Sequence, residues 1–239
     1  MNIPVYIRRR FGLVATVIAC AVSAPVLASE SVHLDKFPTE KMQSMPALQD
    51  GARTFVNYCL NCHSASMMRF NRLQDIGLTD EQISGSLQFT EGRVGDLMKV
   101  AMRHEDGKAW FGAAPPDLSV EARARASESG SGADWIYTYL RSYYRDGSRE
   151  TGWNNAIFPN VGMPNPLWQW QGMRGAVEER VAPVTDEATG KVTGWTKTTI
   201  TYDREGNKSE KVEKVSGDGL HEGTHFTLGT PEGGTLSQA

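Results

Sequence analysis

Two thiols and an imidazole stand together in Tyr58-Cys59-Leu60-Asn61-Cys62-His63-Ser64. In a C-x-x-C-H arrangement the thiols add across the two vinyl groups of a haem, and the imidazole that follows takes an axial position on the iron. One helical turn sets the sulfur spacing and hands the next ring to the metal. Two plainer chemistries use the same residue types. A thioredoxin-type redox pair needs a strand running directly into the first cysteine, which then opens a helix. Here Leu48, Ala52, Phe55, Val56 and Cys59 repeat at the spacing of one apolar helical face, so the motif closes a helix instead. A structural zinc site needs two further ligands. Apart from Cys20 near the N-terminus there is no other cysteine, which leaves only the scattered His33, His104, His221 and His225. The residues predict one covalently bound haem c on Cys59 and Cys62, with His63 on its iron.

A haem with a single protein ligand binds or activates small molecules, whereas a methionine on the other face closes the iron and makes an electron carrier. Met67 and Met68 follow His63 too closely to reach that face. Met98 and Met102, four residues apart, read as the core stripe of a helix. Met163 lies in Asn160-Val161-Gly162-Met163-Pro164-Asn165-Pro166-Leu167-Trp168. There Gly and Pro forbid regular structure and fix a loop able to hold a side chain over a flat cofactor. Local sequence leaves two roles open for Met163: iron ligand, or filler of a core gap beside Trp168.

The elements that must position these groups are legible in outline. Ser119 is placed to cap a short helix through Ser127, and the Ser/Gly stretch 127–132 breaks it. A second helix begins near Asp134 and runs over Trp135 to Tyr144, with Ile136, Tyr139, Leu140 and Tyr143 on one apolar face. Residues 176–226 change character: Thr and Lys alternate with Ile200, Tyr202, Val212 and Val215, and a turn falls at Asp203-Arg204-Glu205-Gly206-Asn207. This predicts a β-hairpin excursion without chemistry of its own, serving as solvated decoration or as a contact with another subunit.

Arg8, Arg9 and Arg10 precede an uncharged run from Phe11 to Val22, and Val26-Leu27-Ala28 offers a small residue for cleavage, so residues 1–28 read as a signal peptide. The apolar run is short for a span of about 20 residues, although a leader retained as an anchor is the rival reading. Cys20 loosely resembles a lipoprotein attachment site, but apolar residues continue past it and its removal with the leader is expected. Formal charge is −3; without the three leader arginines, 22 basic residues face 28 acidic ones, about −6. An acidic exported chain is a poor nucleic-acid binder and attracts basic partners instead. Residues 29–239 then form one c-type haem domain, with 176–226 as an insertion.

In this order the landmarks resemble cytochrome c1, the haem subunit of the quinol:cytochrome c oxidoreductase (cytochrome bc1) complex, in its proteobacterial form. They are Cys59-x-x-Cys62-His63; Ala114-Pro115-Pro116-Asp117-Leu118-Ser119 with Ala122-Arg123-Ala124-Arg125; and the Gly162-Met163-Pro164 loop. The resemblance covers about residues 31–172. It implies a mainly α c-type cytochrome fold around one haem, with long loops. It further implies that Pro115 and Pro116 line the haem, that Arg123 meets a propionate with Arg125 as a substitute, and that Met163 is the sixth iron ligand. Prolines suit a rigid apolar wall, and a guanidinium matches a carboxylate fork.

The implied role is an electron-transfer subunit at the periplasmic face of the bacterial inner membrane. It would take single electrons from a Rieske iron–sulfur protein beside cytochrome b and pass them to a soluble cytochrome c. An exported single-haem enzyme or gas sensor with an open sixth position is the alternative. The family's pattern continues into a helix that crosses the one leading into the haem motif, then a membrane anchor. Neither is present in these 239 residues. The expectations are therefore a fragmentary chain or an uncleaved leader as tether, and an apolar stripe at Leu48, Ala52, Phe55 and Val56 short of its cover.

Overall fold

Ser44 accepts a hydrogen bond from the amide of Ala47, and Pro46 sits in the first turn, so the chain enters helix α1 (Met45–Thr54) with its leading donors accounted for. In the computed structural model, which describes residues 33–217 and 219–235, α1 continues into a wider π-helical turn at Phe55–Cys59. The amides of Cys62 and His63 both return to the carbonyl of Cys59, at 3.1 and 2.9 Å. A helix therefore does close on the motif. The signal peptide expected over residues 1–28, with Cys20, lies outside the described residues.

The first core forms directly behind this turn. Val56 is buried with Ala65, Phe70, Ile83, Leu87 and Met98, and Phe55 and Leu60 pack against them. Leu48 and Ala52, higher on the same stripe, are half-exposed. Strand β1 (Ala65–Arg69) pairs antiparallel with β2 (Leu97–Met98), and helix α2 (Asp80–Ser86) covers them, started by a reciprocal Thr79/Gln82 capping box. The helix expected over Met98 and Met102 is absent. Met98 is core, as expected, but on a strand; a short apolar run cannot by itself distinguish a buried strand from a helix. Ile83 is fully buried. Ile83→Ala is expected to cost about 2–5 kcal/mol in denaturant unfolding, and a loss near zero would mean that this cluster is not the core of the domain.

Helix α3 (His104–Phe111) follows, then a single turn, α4 (Glu121–Ala124), shorter than the helix expected there. Ser119 does not cap it: its hydroxyl accepts from the amide of Met67 at 3.0 Å. Helix α5 (Gly132–Arg141) opens on a Ser131/Asp134 capping box and ends three residues before Tyr144. The early end has a packing cause. Tyr143 and Tyr144 lie on β3 (Tyr143–Arg145), paired with β4 (Trp153–Asn155), and point to opposite sides. Tyr143 packs with Trp153 and Val161, and Tyr144 with Ala176, Ile200 and Tyr202. A strand sends adjacent residues to opposite faces, which a helix does not.

After the short helix α6 (Trp168–Gln171) come β5 (Ala176–Thr185), β6 (Val192–Tyr202), β7 (Lys208–Val215) and β8 (Gly223–Leu228). They form one antiparallel sheet in the order β7-β6-β5-β8. The turn at 203–207 joins β6 to β7, closed by the amide of Asp203 on the carbonyl of Asn207. The two-stranded hairpin expected here is thus a four-stranded sheet. Its fourth strand pairs with β5 because Phe226 and Leu228 pack into the Tyr144 cluster. With this sheet the described residues hold helix and strand in comparable shares, so the mainly α expectation is corrected. Among the described residues no helix is long and apolar enough to cross a membrane.

Candidate haem site

The segment after the motif is stitched to Pro115-Pro116-Asp117-Leu118-Ser119 in parallel contacts. The amide of Leu118 donates to the carbonyl of Ser64 at 2.7 Å, and the amide of Ser66 donates to Asp117 Oδ2 at 2.9 Å. Ser64 Oγ accepts from the amide of Val100 at 3.0 Å, tying in the chain after β2. The result is aimed at His63, whose Nδ1 lies 2.8 Å from the carbonyl oxygen of Pro116. A carbonyl only accepts, so the proton sits on Nδ1 and the lone pair of Nε2 is presented to a metal.

Asp117 Oδ1 also accepts from the amide of Ser119 at 2.8 Å. The bonds to Ser119 and Ser66 hold its carboxyl well below the usual carboxylate range. A depressed folded-state value gives stability that is present above the unfolded value, about 3.9, and is lost as pH falls through the folded value. The stability difference between the natural chain and Asp117→Asn, measured by urea unfolding, is therefore expected to be largest near neutrality and to shrink below about pH 4. A difference independent of pH would show that the carboxylate charge plays no part.

Cys59 and Cys62 carry free thiols on the turn that leads into His63. Burial raises the thiol pKa of both, with the neighbouring Cys62 adding to the effect at Cys59, so both are thiols at neutral pH. The helix entering Cys59 and the irregular chain leaving His63 are the reverse of a thioredoxin arrangement.

Met163 is held from several sides. Asn154 and Asn155, on β4, clamp the loop before it. Asn154 Oδ1 accepts from the amide of Asn160 at 2.9 Å, and Asn155 Oδ1 accepts from the amides of Ile157 and Phe158 at 3.1 and 3.2 Å. Arg149 donates to the side chain and carbonyl of Asn160, which adopts a left-handed φ of 62° that asparagine tolerates. Met163 itself packs on the Tyr143, Trp153 and Val161 cluster, and the hydroxyl of Tyr139 donates to its sulfur at 3.6 Å.

Helix α3 joins the two halves. A Cβ at Gly107 would stand 2.7 Å from Cδ of Pro115 and 3.2 Å from the sulfur of Met102. A Cβ at Gly162 would stand 2.3 Å from the carbonyl oxygen of Phe111. Met102 is thus engaged beside Pro115, Met98 is in the first core, and Met67 and Met68 are exposed. On the opposite side Tyr58 packs on Trp170 of α6, with ring centroids 4.6 Å apart.

Arg125, not Arg123, faces the aromatic wall. Its guanidinium lies 4.4 Å from the ring of Trp135 and 5.7 Å from that of Phe158, and Glu121 pairs with it at 2.6 Å. Arg123 is exposed. Trp135 stacks on Tyr139 at 4.9 Å, and Phe158 meets both rings edge-on. On α5, Tyr139 of the expected apolar face contacts both Tyr143 and Trp135, the latter lying outside that expectation.

Contacts and chain continuity link these groups: Tyr58, next to Cys59, packs on Trp170 of α6, Met163 meets Tyr139, Tyr139 stacks on Trp135 beneath Arg125, and the Pro116 carbonyl meets His63. The donor set fits a covalently attached haem: two free thiols on one turn, an imidazole with its remote nitrogen free, and a thioether on a fixed loop. Sequence reasoning missed Asn154, Asn155 and the Tyr139 hydroxyl. The asparagines carry a recognisable signal, since Asn side chains that bond the backbone a few residues on mark turns.

A sequence model of the cytochrome C1 family matches residues 38–179. The ammonia monooxygenase gamma subunit of Nitrosomonas europaea is 50% identical over 152 residues, covering 62% of each chain. Cytochrome c1 of Allochromatium vinosum is 39% identical over 168 residues, covering 70% of this chain and 66% of the relative. The mitochondrial cytochrome c1 heme protein of Neurospora crassa is 26% identical over 168 residues, covering 59% and 49%. The matches thus span less than two thirds of the length of these relatives. The family match ends within β5, so most of the four-stranded sheet lies beyond it.

Proposed function

The chain belongs to the cytochrome c1 family, whose members carry one covalent haem c, and from that premise we propose that it is the electron-transfer haem subunit of a respiratory quinol:cytochrome c oxidoreductase. It receives single electrons from a Rieske iron–sulfur protein beside cytochrome b and delivers them to a soluble cytochrome c, at the periplasmic face of the inner membrane. The association with the membrane runs through the complex or through an anchor beyond these residues. The observation that carries the reading is Met163, fixed on its loop with the sulfur turned to the hydroxyl of Tyr139.

When bound, the haem supplies the one-electron couple between Fe(III) and Fe(II). The chain's own residues supply everything else. Cys59 and Cys62 would tether the group as thioethers, His63, whose Nδ1–H is engaged by Pro116, would offer Nε2 to the iron, and Met163 would offer its thioether sulfur. Pro115 and Pro116 form a wall that brings no amide donor to satisfy. Arg125 is the better propionate partner, since its guanidinium lies at the aromatic wall while that of Arg123 is exposed. A site clamped through backbone hydrogen bonds changes little on gaining an electron, which suits a carrier.

The name of the Nitrosomonas europaea relative, a monooxygenase subunit half identical over the matched residues, favours one second reading: the same haem domain serving as electron partner of a monooxygenase. Co-purification from native membranes separates the two, by recovery of either a Rieske protein with cytochrome b or monooxygenase subunits.

The test of the haem reading is spectroscopic. Matured with a cytochrome c assembly system, the chain is expected to carry covalent low-spin haem with the near-infrared to red charge-transfer band of Met–Fe(III) ligation. That band should vanish in Met163→Leu and survive in Met98→Leu and Met102→Leu. A high-spin haem indifferent to Met163→Leu, in a folded chain, would favour the single-haem enzyme or gas-sensor alternative.

A further inference from the structure

We propose that Tyr139 and Tyr143 form a two-hydroxyl relay that sets how strongly Met163 donates to the haem iron, and so sets the midpoint potential. The inference rests on Met163 being the sixth ligand. Tyr143 is 1% exposed, and its hydroxyl donates to the hydroxyl of Tyr139 at 2.9 Å. A phenol has one proton to give. With Tyr143 supplying the bond that Tyr139 accepts, the proton of Tyr139 is directed to Met163 Sδ at 3.6 Å. The ring of Tyr139 cannot swing away: it is stacked on Trp135 at 4.9 Å, with the edge of Phe158 at 6.1 Å and that of Tyr143 at 5.4 Å.

Two phenylalanines would fill the same volume without the cost of burying hydroxyls, which is recovered only when they are bonded. The chain of bonds ends on the sulfur, so the sulfur is what both hydroxyls act on. A thioether has two lone pairs. A hydrogen bond into one withdraws density from the other and weakens donation to Fe(III) more than to Fe(II). Hydrogen bonding around an axial ligand is one of the means by which a protein tunes a haem. The relay therefore holds the potential up.

Redox titration of the matured natural chain, Tyr139→Phe, Tyr143→Phe and the double variant, each with its Met–Fe(III) band recorded, tests this. Tyr139→Phe is expected to keep the band and to favour Fe(III) by roughly three- to tenfold, a fall of up to about 59 mV for a one-electron couple. Tyr143→Phe should fall part of the way, and the double variant should match Tyr139→Phe because Tyr143 acts through it. A Tyr139→Phe protein with its band and potential both unchanged overturns the relay while leaving Met163 as ligand. If Tyr139→Phe does not fold, an unchanged potential in Tyr143→Phe overturns the relay equally. Absence of the band from the natural chain overturns the ligation reading, and the relay with it.

Discussion

His63→Ala is expected to lose at least about tenfold in yield of covalent low-spin haem from a cytochrome c maturation system, no less than outer-shell changes alone cost a metal site. The imidazole is held at Nδ1 by the carbonyl of Pro116, a residue 53 positions away, and that carbonyl is itself fixed by the bonds joining Ser64 and Ser66 to Leu118 and Asp117. The framework would survive the substitution, because none of those bonds uses the imidazole. What is lost is the nitrogen aimed at the metal. Far-ultraviolet circular dichroism of the unmatured chain should change little, while pyridine haemochrome yield and the Soret band of the matured chain collapse. A natural yield of low-spin haem in His63→Ala would mean that another residue takes the axial position.

Gly162→Val is expected to remove the Met–Fe(III) band while leaving the haem covalently attached. The backbone φ at Gly162 is not in the left-handed region, so the demand there is for space. A Cβ would come within 2.3 Å of the carbonyl oxygen of Phe111, against about 3.3 Å for a close carbon–oxygen contact. The oxygen is backbone and a Cβ has its position fixed by the backbone that bears it, so the loop or α3 must move by about 1 Å, and sites of this kind need their groups within about 0.5 Å. The thiols and His63 lie on a different segment, so attachment continues. Overpacking of this kind costs about 1–3 kcal/mol in stability. Gly95→Ala is the control, since a Cβ there meets nothing within 4 Å. An intact band in Gly162→Val would show that the loop does not depend on its close approach to α3.

The sheet of β5 to β8 has a different standing. It packs on the rest of the described chain at its Tyr144, Ile200, Tyr202 and Phe226 end and through a bond from the amide of Gly147 to the carbonyl of Gly206, and its edge strand β7 carries Lys208, Lys211 and Lys214 with Glu210 and Glu213. Charged edges of this kind discourage pairing with other strands. The family match stops within its first strand.

The attachment chemistry was determined by the sequence alone, because it depends on covalent spacing: two thiols and an imidazole within five residues, on a helix whose apolar repeat ends at Cys59. The turn at 203–207 was legible for the same reason, being a local preference of Asp, Gly and Asn. Periodicity failed where a residue's neighbours are distant in the chain. Met98 and Met102 read as a helical stripe, yet Met98 pairs across a ladder with Ala65. Tyr143 and Tyr144 read as helix, yet two separate cores claim them. The fourth strand of the sheet is fixed by Phe226 and Leu228 meeting Tyr144, more than 80 positions earlier in the chain.

The same limit governs the site. Arg123 and Arg125 are equivalent as sequence, and only the packing of α4 against α5 exposes one and lays the other over Trp135. The Pro116 carbonyl, the asparagine clamp and the Tyr139 hydroxyl are ordinary groups whose roles come from where the chain returns. Spacing along the chain fixes which groups can react with the haem; tertiary packing decides which way they face, because orientation depends on partners that no local pattern encodes.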